Sequence, residues 1–143
     1  MFSNSSKYAI KAVLFLALNS SEEKKIIVKD IAGSINVPQA YIAKLLQELS
    51  RQRVISSTRG PKGGFYLTDE DKKHPLKRII KVIDEENRLT SCLLSLENCN
   101  EEKPCPLHKI AAPLRNELLD SLENKTICDL AKEVREGKAF LPL

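Results

Sequence analysis

The chain has no apolar run long enough to cross a bilayer. The stretch from Ala12 to Leu18 follows a polar start and ends at Asn19-Ser20-Ser21, with no cleavage-like site and no likeness to an export signal. Internal repeats and low-complexity tracts are missing too. So are the short motifs of the common enzyme classes: there is no C-x-x-C pair, nucleophile elbow, Walker-type loop or dinucleotide fingerprint. These absences leave catalysis without a candidate, and the chain is expected to be a cytoplasmic protein that is not an enzyme. In a reducing compartment, clustered thiols bind metal or sense redox state more often than they form disulfides. Histidine occurs only twice and cysteine four times, so their placement is informative.

Three of the four cysteines and one histidine share one short stretch: Cys92, Cys99, Cys105 and His108, in the order C-x6-C-x5-C-x2-H. Thiolate and imidazole are the ligands that soft and borderline metals prefer, so a metal or iron–sulfur centre is the first hypothesis. A stray disulfide, or cysteines serving as small apolar filler, are the plainer alternatives. The polar, turn-rich segment from Glu97 to Cys105 argues against filler. Structural zinc stays open, because three cysteines and a histidine also form a zinc set. Cys128, among Ile127, Leu130 and Ala131, is expected to be buried packing.

At 143 residues the chain is one domain, or a small domain with an appendage, and its charge is unevenly spread. Residues 1–68 hold ten Lys/Arg against four Asp/Glu, whereas residues 69–143 hold thirteen against fifteen. The basic half begins with a helix that is apolar nearly all round, Tyr8 to Leu18. A short amphipathic segment with Ile31, Ala32 and Ile35 on one face follows. Pro38 suits the first position of a new helix, in which Ile42, Leu45, Leu46 and Leu49 recur at i, i+3, i+4 and i+7. Two short helices joined by a tight turn read as helix-turn-helix. Val54 to Arg59, a turn at Gly60-Pro61-Lys62-Gly63-Gly64, and Phe65-Tyr66-Leu67 then read as a hairpin with a basic tip. Helix-turn-helix followed by such a hairpin is the winged-helix plan.

Beyond the wing, Leu76, Ile79, Ile80 and Ile83 predict a helix of about three turns. Pro106 opens a longer periodic stretch, with Leu107, Ile110, Ala111, Leu114, Leu118 and Leu122 on one stripe and Pro113 as a kink. So small a monomer has little core left for that stripe, so an intersubunit helix is expected. Thr126-Ile127-Cys128-Asp129 forms a capping box for a last short helix. The fold class is therefore mainly α with a small β-hairpin wing. The expected organisation is a winged helix-turn-helix domain at 1–83, its first helix contributing to the dimer, a cysteine-bearing loop at 84–105, and a dimerisation helix with C-terminal segment at 106–143.

Taken together, Lys7-Tyr8-Ala9, the helix from Pro38 to Leu49, the wing string Ser57-Thr58-Arg59-Gly60-Pro61-Lys62-Gly63-Gly64-Phe65-Tyr66-Leu67 and the cysteine trio before a long helix make the chain resemble the Rrf2 family of bacterial winged-helix regulators. The resemblance covers almost the full length and is to the cluster-binding branch, which includes IscR-like and NsrR-like members. It implies a homodimeric transcription factor, a repressor, that binds double-stranded DNA at a pseudo-palindromic promoter site. Gln39, Tyr41 and Lys44 match the exposed side of the recognition helix, where bases and phosphates are read. Arg59, Gly60, Lys62 and Gly63 match the wing. Cys92, Cys99 and Cys105 match the cluster thiolates, and His108 the histidine completing a 2Fe-2S site; a 4Fe-4S cluster, zinc or no cofactor are the other readings. The centre is expected to sense iron–sulfur status, redox state or nitric oxide. The first cysteine gap is one residue longer than is usual for IscR-like members. No Asp or Glu precedes Glu22, which favours His108 over a carboxylate from the first helix as fourth ligand, with solvent or another thiol as alternatives.

Overall fold

The segment from Tyr8 to Leu18 lies within α1, Asn4–Asn19, in the computed structural model, which describes residues 2–84, 87–94 and 100–141. Ala9, Ala12, Val13, Leu16 and Ala17 are fully buried. The small side chains among them let α1 be approached from several sides, and helices from both halves of the chain pack against it. Among the described residues no helix is long and apolar enough to cross a membrane.

Helices α2, Val28–Ile35, and α3, Gln39–Arg51, form the expected pair. Asn36 makes the turn between them in the left-handed conformation, φ 55°, and the Val37 N–H returns to the Ala32 carbonyl at 3.0 Å. Asparagine tolerates that conformation better than most residues, which is why a helix can stop there. Pro38 sits just ahead of α3 as its N-cap rather than inside the first turn. Ile42, Leu46 and Leu49 are fully buried, and Leu45 packs at the margin. Helix α3 ends in a Schellman turn, with Val54 N–H to Leu49 O at 2.9 Å and Arg53 N–H to Ser50 O at 3.0 Å. The left-handed residue there is Arg53, φ 59°, at a position where glycine is the usual choice.

The wing is an antiparallel hairpin of β1, Ser56–Thr58, and β2, Gly64–Tyr66, with Ser57 opposite Phe65. The first strand is shorter than the sequence suggests because Val54 and Ile55 drop into the core beneath it. The ladder also continues where no strand was expected. Ile26 and Phe65 exchange two backbone hydrogen bonds, at 2.9 and 2.8 Å, so the wing is fastened to the segment ahead of α2.

A 3-10 turn, Asp71–Lys73, leads into α4, Leu76–Ile83, which has little more than two turns rather than about three. Next come a single turn, α5, Asn87–Thr90, and the long α6, His108–Asn124. The helix begins two residues after Pro106, and Pro113 lies inside it without ending it. The capping box at Thr126 and Asp129 opens α7, Ile127–Arg135, as the sequence indicates. Cys128, however, is exposed rather than packed. Ile127 and Ala131, one turn apart, define the buried face, and Cys128 is rotated about 100° from Ile127 around the helix.

Helix α7 returns to pack on α1. The starts of α4 and α7 lie side by side through a bridge between Pro75 and Thr126, with Leu76 N–H to Lys125 O and Ile127 N–H to His74 O, both at 3.0 Å. Helix α1 has no acidic residue in its first turn and no basic residue in its last. Ser3 caps its start by accepting the Ser6 N–H at 3.0 Å, Ser20 caps its end on the Leu16 carbonyl, and distant residues tie both ends down. The Asp84 carboxylate, buried at the end of α4, accepts from the Ser3 hydroxyl, from Ser3 N–H at 3.3 Å and from Ser6 Oγ at 2.7 Å. Arg135 of α7 donates to the Ala17 carbonyl at 2.9 Å.

Burial alone pushes the Asp84 carboxyl up, but the hydrogen bonds from Ser3 and Ser6 and the nearby Arg88 together outweigh it and hold the group below the usual carboxylate range. A depressed folded-state value means stability that is complete above the unfolded carboxylate range and is lost as pH falls through the folded value. Asp84→Asn is therefore expected to lower the melting temperature at neutral pH. The gap to the parent should narrow as pH falls below the usual carboxylate range. Thermal melts across that range check both, and a gap independent of pH would contradict the assignment.

Candidate nucleic-acid interface and thiol centre

The side chains expected on the recognition helix lie on its outer face. Gln39 and Lys44 are exposed. Tyr41 is 38% exposed and is more constrained than its position in the sequence suggests. Its hydroxyl hydrogen-bonds with Ser5, and its ring meets Tyr8 edge-on, centroids 5.7 Å apart at 88°. The N-terminal turns of α1 therefore set where this side chain can point.

Arg59, Gly60 and Lys62 are exposed at the wing tip. The tip closes through Gly63 N–H to Gly60 O at 2.9 Å. A Cβ at Gly63 would lie 2.1 Å from the Thr58 carbonyl oxygen, and one at Gly64 would lie 2.7 Å from the Ile26 carbonyl oxygen. Gly64 also has φ +149°. These two glycines permit the tight hairpin and its seat against Ile26. The Lys25 ammonium sits 5.3 Å from the centre of the Tyr66 ring and covers the side of the wing.

Sequence reasoning missed a cleft of about 620 Å³ between α3 and the wing. Gln47, Ser50 and Arg51 line one wall, and Ser57, Thr58 and Arg59 the other. Ser50 and Ser57 join across it through their hydroxyls at 2.7 Å. Lys44, Gln47 and Arg51, spaced i, i+3 and i+7, form one exposed row that runs into it, a pattern visible in the sequence. Glu48 pairs with Arg51 one turn away. The guanidinium hydrogen-bonded to it holds the Glu48 carboxyl below the usual carboxylate range.

The cysteines bracket the segment between α5 and α6. Cys92 is buried, Cys105 is half-buried, and their Sγ atoms are 3.5 Å apart without a disulfide between them. Arg115 of α6 donates to the Ser91 carbonyl at 3.3 Å and holds the Cys92 side in place. His108 opens α6, and its N–H reaches the Cys105 carbonyl at 3.0 Å, so these two residues share one turn. Cys99 lies outside the described residues. Among the described residues no group of three or more metal-binding side chains is assembled. The Cys92–Cys105 pair nevertheless fits a shared metal. Two thiolates bound tetrahedrally at about 2.3 Å to one ion stand about 3.8 Å apart, close to the spacing observed here.

Comparison with known proteins bears on both sites. The family model Rrf2, described as an iron-dependent transcriptional regulator, matches residues 2–133. An HTH-type transcriptional regulator of Aquifex aeolicus is 33% identical over 132 residues, covering 91% of this chain and 90% of that protein. The HTH-type transcriptional regulator IscR of Pectobacterium atrosepticum is 29% identical over 130 residues, covering 90% of this chain and 78% of that one. Among solved structures, CymR, the global cysteine regulator of B. subtilis, superposes with a TM-score of 0.75 at 22% identity, covering 92% of this chain and 96% of that chain. It shows the same winged-helix fold.

The geometry at Gly64 makes a direct prediction. Gly64→Ala places a methyl group against the Ile26 backbone in a strained conformation and is expected to destabilise the fold by about 2 kcal/mol. Urea unfolding measures this, and a change under about 0.5 kcal/mol would mean that the wing is not seated on Ile26 in solution.

Proposed function

The chain belongs to the Rrf2 family of transcriptional regulators, and from that premise we propose that it is a homodimeric DNA-binding repressor whose hold on DNA is governed by an iron–sulfur cluster on Cys92, Cys99, Cys105 and His108. Members of this family are regulators, not enzymes. The observation that carries the cofactor reading is the approach of the Cys92 and Cys105 thiols from opposite ends of the intervening segment. The IscR relatives and the family's description as iron-dependent support it. Three thiolates and an imidazole suit a 2Fe-2S cluster, with 4Fe-4S as the other form. Such a centre, when bound, supplies an oxidisable group reactive toward oxygen and nitric oxide. The residues of this chain then have separable tasks: the cysteines and His108 hold it, and the segment they bracket is ordered by it. Zinc would use the same donor set.

For DNA, Gln39, Tyr41 and Lys44 face the major groove in this reading. Arg59, Gly60, Lys62 and Gly63 reach the backbone and the minor groove. Two-fold symmetry in the protein calls for a pseudo-palindromic site in a promoter, reached in the cytoplasm. The dimer rests on the α6 stripe. Its lower part, Leu118 and Leu122, packs into the chain's own core, while Ile110 and Leu114 are left 66% and 63% exposed beside Leu93 at 64%. Isologous contact with a second copy hides all of them at once.

The deciding experiment is iron and sulfide analysis of anaerobically purified protein, with DNA binding measured before and after cluster removal. Iron and acid-labile sulfide are expected in the parent and absent in Cys99→Ala, which should fold normally and differ in DNA affinity by about 1–3 kcal/mol. A parent that carries only zinc, or a variant that binds every DNA site as the parent does, would contradict cluster control. The dimer has its own check. Leu114→Glu is expected to give a folded monomer in analytical ultracentrifugation with much weakened DNA binding, and an unchanged dimer would place the interface elsewhere.

A further inference from the structure

We infer that the cleft between the last turns of α3 and the first wing strand is a seat for a DNA phosphodiester, with Arg51 as its cation and Glu48 as an internal competitor that occupies Arg51 until DNA arrives. The inference rests on the DNA-binding reading above and adds to it a contact separate from the helix face and the wing tip.

The cleft has the chemistry of an anion site. Arg51 stands on one rim and Arg59 on the other, with Gln47, Ser57 and Thr58 supplying polar groups between them. Ser50 and Ser57 together own two O–H donors and use one of them on each other, at 2.7 Å. The second remains to be given to a phosphate oxygen. The hydroxyl pair also braces the two walls, and the seating of Gly64 on Ile26 fixes the wing behind them. A rigid, polar, positively rimmed cleft favours an anion with several acceptor oxygens. The row Lys44, Gln47, Arg51 leads a strand lying along α3 into it.

Glu48 gives the site its second property. Its carboxylate is paired with Arg51 and also accepts from Gln52 Nε2 at 3.3 Å, with the guanidinium 72% exposed and the carboxylate 32%. The guanidinium is therefore within reach of solvent yet already holds an anion one turn away. A phosphate competes with the carboxylate for Arg51, and this lowers affinity most for a duplex whose phosphate reaches the cleft poorly aligned. Arg51 thus acts in selecting register as well as in attraction.

The test uses the full chain and a short duplex enriched from a random-sequence library by the parent protein, with binding followed by fluorescence anisotropy over a range of salt. Arg51→Gln is expected to weaken binding about tenfold and to reduce the slope of log affinity against log salt by about 0.9 per bound protomer. Arg51→Lys should keep the slope, and Glu48→Gln should tighten binding about threefold, more on non-specific duplex than on the enriched one. A scan of single methylphosphonates along the duplex should show one phosphate per half-site whose neutralisation weakens the parent but not Arg51→Gln. Failure of the parent to retain any duplex would overturn the DNA reading and this seat with it. A parent that binds, with Arg51→Gln unchanged in affinity and slope, would overturn the seat alone. Because Glu48→Gln acts in the opposite direction, a folding defect cannot imitate the pair of results.

Discussion

Helix α1 is the element on which the other parts rest, and beyond its own caps at Ser3 and Ser20 it is tied at both ends by distant residues. An α-helix leaves free N–H groups at one end and free carbonyls at the other, with partial charges to match. Helix α1 begins without an acidic residue and ends without a basic one. Asp84 holds the capping residue Ser3 and the Ser6 hydroxyl at one end, and Arg135 donates to the Ala17 carbonyl at the other, from 81 and 118 positions away in the chain respectively. Ser20, at the α1 C-cap, adds a third distant tie by accepting the Leu67 N–H at 3.1 Å. Each contact joins a different element to the same helix: α4 at one end, α7 and the end of the wing at the other. The local caps at Ser3 and Ser20 shape the ends of the helix, and the three distant ties fix its place in the fold, so its stability draws on tertiary contacts as well as on local propensity.

The same helix stands between the two candidate sites. Its first turns hold Tyr41 of the recognition helix through Ser5 and Tyr8. On the other side they are held by Asp84, at the end of α4, which precedes the cysteine-bearing segment. The recognition helix and the cysteine segment are thus attached to neighbouring residues of one rigid element.

Much of this was legible in the sequence because it was written in repeating patterns. The i, i+3, i+4, i+7 spacing of Ile42, Leu45, Leu46 and Leu49 marks α3 and its buried face, and the glycines after Arg59 mark the wing tip. What escaped depends on single residues rather than on period. Cys128 sits among apolar neighbours, yet one step along a helix turned it outward. Arg53 occupies a left-handed position that composition would assign to glycine, so the end of α3 carries no sequence signal. Ile26 pairs with Phe65 across the length of α2 and α3, and Phe65 in turn lines the cleft between α3 and β1. Likewise the cysteines announce themselves by type and crowding, whereas the close approach of Cys92 to Cys105 depends on how α5 and α6 are placed.

The bridge between Pro75 and Thr126 divides the chain in a way that element order hides. The chain between those residues, which contains the cysteines, is closed on itself by two backbone hydrogen bonds, while α4 and Leu122 within it also pack into the core. In polymer terms it is a closed loop, and the entropy of closing a loop grows only logarithmically with its length, about 0.6 kcal/mol for each doubling. Adding or removing a residue between two cysteines therefore costs the fold almost nothing. Loop closure sets no length for the two cysteine gaps, whereas the approach of Cys92 to Cys105 does, and the C-x2-H spacing belongs to the turn that opens α6.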